Sequence, residues 1–186
     1  MAVFYEERAY LSAAADELED YLLSRAADWR LSGPESLPPL TPGGVLLTMK
    51  RLGGLNSADG EVEQIQEALD KIEIVRIRWK TAWMRRIEQE VPQRIRLMAN
   101  YLDELIQSRN LAHPEFHWNI RWRVIIALLV QEIETLGPGT SQQLIDMDEK
   151  LLSISRPGPF VWERNLEKTF DPANFWFLYL QVSPSI

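Results

Sequence analysis

Two histidines, His113 and His117, stand four residues apart, a spacing that sets two imidazoles on one helical face, where a zinc ion binds. A third ligand is not indicated. The residues between them are Pro-Glu-Phe, which does not make H-E-x-x-H, and neither histidine follows a glutamate three residues back. His113 therefore reads as a cap before Pro114, His117 as a surface or packing residue, and no metal or other cofactor is expected. Pro42-Gly43-Gly44 and Gly53-Gly54 match neither a phosphate loop nor a dinucleotide fingerprint and read as turns at helix ends. G-x-S-x-G is absent. The carboxylates Glu61/Glu63 and Asp146/Asp148/Glu149 are spaced so that they scatter around a helix, as solvated faces do. No catalytic residue is assigned, and an enzyme is not expected.

The most informative chemistry is basic and aromatic. Between Lys71 and Arg96 lie eight Lys/Arg and only three acids (Glu73, Glu88, Glu90), so this segment carries +5 in a chain of net −7. The spacing W-x-x-x-W occurs twice, as Trp79/Trp83 and Trp118/Trp122. Arg76, Trp79, Trp83 and Arg86 fall within one sector of a helix about 80° wide. Such a face can stack bases and neutralise phosphates, each stacked base being worth about 1–3 kcal/mol. A nucleic-acid-binding helical subunit would use Arg76, Arg78, Lys80, Trp83, Arg85, Arg86, Arg94, Arg96, Arg121 and Arg123. It predicts that replacing Arg85 and Arg86 with alanine weakens binding and leaves folding intact. Against it, Trp79 and Trp83 share an apolar seam with residues on both sides, which makes them core and the arginines a cationic rim facing the acidic first helix.

The elements that position these residues are helical. Phe4, Leu11, Ala14, Leu18, Leu22 and Trp29 predict an amphipathic helix over Val3–Arg30, stopped by Ser32-Gly33-Pro34. Residues 32–60 form a Pro/Gly-rich connector with prolines at 34, 38, 39 and 42, in which Thr41-Pro42 caps and opens a short helix through Leu52. Asp59 is read as the cap of the longest helix, whose seam runs Val62, Ile65, Leu69, Ile72, Arg76, Trp79, Trp83, Ile87, Val91, Ile95, Met98, Leu102, Leu105. Pro92 predicts a kink or break near Val91. His113-Pro114 is read as opening a helix that ends at Gly137-Pro138, with VIIALLV its most buried stretch. Thr140-x-x-Gln143 suggests a capping box before Leu144–Leu152, and Asp171-Pro172 a cap for a final short helix. Ile72–Trp79, Phe116–Val124 and Asn174–Val182 also alternate with period two, so a small sheet is the alternative, closest to even for the last segment.

A chain of 186 residues, 46% hydrophobic and 25% charged, suits one domain with a proper core. Cysteine is absent, which removes disulfides and thiol chemistry and fits a reducing, cytoplasmic setting. The opening MAVFYEERAYL lacks the basic-then-apolar order of a secretory leader, and no apolar run reaches the roughly 20 residues a membrane span needs. The expectation is one all-α domain over 1–186, an antiparallel bundle of three to four main helices with the excursion at 32–60; α+β with a small sheet is the alternative. Its expected function is as a non-enzymatic interaction or scaffold protein, a subunit or adaptor bound to another protein or to itself. The aromatic and leucine anchors would be Trp29, Leu37, Leu40, Trp162, Phe175, Trp176, Phe177 and Tyr179. Leu37 and Leu40 would face outward from the connector, and FWFLYL would expose an apolar patch.

Overall fold

The structure, a computed structural model, describes residues 2–26, 29–54, 59–108 and 115–182. Seven α-helices run through the described residues: α1 (Ala2–Leu23), α2 (Pro42–Gly53), α3 (Asp59–Arg78), α4 (Lys80–Ser108), α5 (Phe116–Asn119), α6 (Arg121–Gln131) and α7 (Pro138–Ser153). Two short strands, β1 (Ser155–Pro157) and β2 (Leu180–Val182), pair antiparallel with Arg156 opposite Gln181, and 3₁₀ turns cover Arg164–Thr169 and Trp176–Tyr179. The protein is thus mostly α, with a small sheet. Its contacts group into two compact units, Met1–Glu90 and Val91–Ile186.

In the first unit α1 packs on α2 and α3. Tyr10, Leu11, Ala14, Leu18, Tyr21 and Leu22 form the buried stripe of α1. Ile65, Ala68, Ile72 and Trp83 answer it from α3 and the start of α4. Charge follows the same plan, since Lys71 meets Asp16 at 3.8 Å and Arg78 meets Glu19 at 3.6 Å. The largely buried Arg51–Glu7 ion pair ties α2 to α1.

Thr41 caps α2 as the sequence predicts, its Oγ1 accepting from Gly44 N at 3.0 Å. The buried Glu90 carboxylate accepts from Gly43 N at 2.8 Å, placing a negative group at the positive end of the same helix. Tyr10 closes over this turn. A Cβ on Gly44 would lie 2.5 Å from the Tyr10 hydroxyl oxygen, so a larger residue there would have to displace the tyrosine.

Four boundaries differ from the sequence reading. α1 stops at Leu23, not Arg30, because the chain turns back and Trp29 returns to Glu17 on the same helix. No break falls at Pro92, which lies inside α4; the interruption is at Trp79. The missing donor of Pro92 is offset by burial of Val91, Ile95, Met98 and Leu102 along one stripe. α6 ends at Gln131, its last turn tightening as Ile133 N bonds Val130 O at 3.2 Å. Pro138 then opens α7 from Gly137, so Thr140 lies inside that helix rather than capping it. The expected opening of a helix at His113-Pro114 lies outside the described residues, as does the stretch 55–58 of the expected loop after α2.

In the second unit α6 is buried through its middle, with Val124, Ile125, Ile126, Leu128 and Leu129 inside and Arg121 and Gln131 exposed at its ends. The C-terminal segment resolves the helix-or-strand ambiguity both ways. Asp171 caps a turn by accepting from Asn174 N at 3.0 Å; a 3₁₀ turn and then β2 follow. Ile72–Trp79 and Phe116–Val124 are helical apart from single turn residues at Trp79 and Ile120, not strands.

Candidate functional site

The basic and aromatic residues take two different positions. Trp83 is 2% exposed, and the Arg76 guanidinium lies over its ring at 4.9 Å while bonding Glu73 at 2.9 Å. Arg86 is buried beneath the end of α1. Its Nη1 donates to Ala26 O at 2.8 Å and its Nη2 to Tyr21 O and Ser24 O, both at 2.9 Å. Its guanidinium covers the Tyr21 ring at 4.4 Å. A helix leaves its last carbonyls without intrahelical donors, and the planar fork of arginine supplies them here. Arg123 is likewise buried, bidentate to Asp148 at 2.7 and 2.8 Å and lying over Phe177 at 4.4 Å. Arg94 is half-buried, whereas Arg78, Lys80, Arg85, Arg96 and Arg121 face solvent.

The Trp pairs divide in the same way. Trp79 is half-buried, Trp118 is exposed, and Trp122 packs edge-on to Tyr101 at 5.9 Å. The ten residues therefore do not form one face.

Of the eight predicted anchors, three are buried and five are partly exposed. Leu40 is fully buried and Leu37 half-buried, which corrects the outward placement of this pair. Phe175 and Phe177 are buried and Trp176 and Tyr179 partly so; FWFLYL is not an exposed patch. Its rings continue an edge-to-face chain in which Phe170 meets Trp162 at 5.2 Å and Phe175 at 5.1 Å. Trp162, partly exposed, donates its indole N–H to His117 O at 3.0 Å.

Trp29, also partly exposed, donates to Glu17 Oε2 at 2.7 Å, while Ser32 N donates to Glu17 Oε1 at 2.8 Å. Burial alone would raise the Glu17 pKa, but these two donors favour the carboxylate and hold it below its ordinary value. Glu17 thereby fastens the returning connector to α1.

No group of three or more His, Asp or Glu converges as a metal site among the described residues. A depression of about 360 Å³ beside β2, lined in part by His117, Phe160 and Val161, brings no nucleophile and base together. No helix among the described residues is long and apolar enough to cross a membrane.

The residues that the sequence reading missed are Ile74 and Ile77. They stand one turn apart on α3 and are 59% and 71% exposed. Both lie off the apolar seam, on a face otherwise charged. That departure from binary patterning was visible in the sequence as the only signal for them.

No family model matches the chain, nor does any curated protein or solved structure.

Proposed function

We propose that this protein is a non-enzymatic, cytoplasmic interaction or scaffold component, a subunit or adaptor whose contact surface centres on Ile74 and Ile77. The exposure of these two isoleucines on one turn of α3 carries the reading. Fully burying an isoleucine side chain yields about 1.5–3 kcal/mol, a gain this chain leaves untaken at both positions. The alternative, nucleic-acid binding, draws on the solvent-facing Arg78, Lys80 and Arg85. It is weakened because Trp83, Arg86 and Arg123 are buried and engaged within the fold.

The test places a photoreactive amino acid at position 77, or at the exposed position 142 as control, and irradiates the protein in cell extract. A discrete protein adduct at 77, absent at 142 and lost with Ile74→Asp, is the expected result. No adduct, together with steeply salt-dependent binding of single-stranded RNA or DNA that Arg78→Ala and Arg85→Ala abolish, would transfer the assignment to nucleic acid.

A further inference from the structure

We infer that the Ile74–Ile77 ridge receives a second copy of this chain, docked antiparallel about a two-fold axis beside the two isoleucines. The inference rests on the interaction reading above and names its partner. Its warrant is the order of charge along one face. At about 100° per residue, Glu67, Asp70, Ile74, Ile77, Arg78 and Arg85 share a sector about 100° wide. All six are exposed. Of these six, the acids precede the isoleucines and the arginines follow them; Glu63 falls in the same sector on the acidic side, and Glu88, also exposed, stands there one turn beyond Arg85. Although a turn at Trp79 separates α3 from α4, Trp79 N bonds Val75 O and Trp83 N bonds Trp79 O, each at 2.9 Å, so the face continues to Arg85.

A parallel second copy would set acid on acid and base on base. An antiparallel copy sets the acidic end of each chain on the basic end of the other, with isoleucine on isoleucine between. Two-fold symmetry repeats every such contact and closes the assembly at a dimer. The local ion pairs on this face, Lys71–Glu67 at 3.2 Å and Arg78–Glu19 at 3.6 Å, are solvent-exposed and therefore weak competitors.

Sedimentation velocity of the full chain over a concentration series tests this, with Ile77→Lys, Glu67→Arg and Arg85→Glu variants whose melting curves verify folding. The wild type is expected to dimerise, and Ile77→Lys to weaken dimerisation about 100-fold. Glu67→Arg and Arg85→Glu each weaken self-association alone. Their equimolar mixture regains it, because the arginine introduced at 67 in one copy meets the glutamate introduced at 85 in the other. A mixture that fails to regain association overturns the antiparallel pairing. A wild-type monomer at every concentration whose position-77 probe labels a different protein overturns the second-copy inference and leaves the interaction reading standing. A monomer with no adduct overturns both.

Discussion

Arg85 and Arg86 are neighbours of the same charge with opposite fates. Arg85 faces water, whereas Arg86 holds three backbone carbonyls at the end of α1. Hydrogen bonds to charged groups are worth about 1.5–3 kcal/mol each, and unmet buried carbonyls add a penalty. Arg86→Ala is expected to lower unfolding stability by about 3 kcal/mol or more in urea titrations, and Arg85→Ala to change it by less than about 0.5 kcal/mol. Arg86→Lys restores only part, since an ammonium lacks the fork. Replacing both arginines together is therefore expected to lower stability as well as remove charge, whereas their sequence position alone predicts intact folding. A second prediction concerns Glu17. Its folded pKa is depressed, so its contribution is full above the unfolded value of 4.5 and is lost as pH falls through the lower folded value. The wild type should lose urea resistance between neutral pH and pH about 3 more steeply than Glu17→Gln does, the difference between the two curves being the readout.

At the scale of elements, α2 is held at its first turn by three separate devices: the Thr41 hydroxyl, the Glu90 carboxylate and the Tyr10 ring closing over Gly44. Gly44→Ala is expected to cost about 1–3 kcal/mol through overpacking against the Tyr10 hydroxyl, and adding Tyr10→Phe should recover part of that loss in thermal melts. Thr41-Pro42 was legible in the sequence because both signals are local to the helix they start. The seam through Ile65, Ile72, Trp83, Ile87 and Ile95 was legible because burial follows helical spacing. The end of α1 was not. Residues 24–26, Ser-Arg-Ala, do not forbid a helix, and the donor that satisfies the carbonyls lies some 60 residues downstream. Pro92 misled for a related reason: a local rule predicted a break, while tertiary burial on both sides kept the helix running.

For the whole molecule, the sequence shows the segregation of charge, −12 outside the segment 71–96 against +5 within it, but not its uses. Part of the positive charge braces the fold through Arg86, part meets the acidic face of α1 through Lys71 and Arg78, and part remains toward solvent at Lys80 and Arg85. Trp83, Phe175 and Phe177 turn inward, Trp118 stays exposed, and Ile74 and Ile77, within the basic segment but off its apolar seam, stay out. The long reach of Arg86 has a consequence for synthesis. Its partners Tyr21, Ser24 and Ala26 precede it by 65, 62 and 60 residues. Chains grow from the N-terminus and fold as units emerge. On the ribosome, the end of the first helix therefore remains open to water until the codon for Arg86 has been read and that residue has left the exit tunnel. Nascent chains arrested short of that point should be cut by protease around residues 24–26, and longer ones should resist.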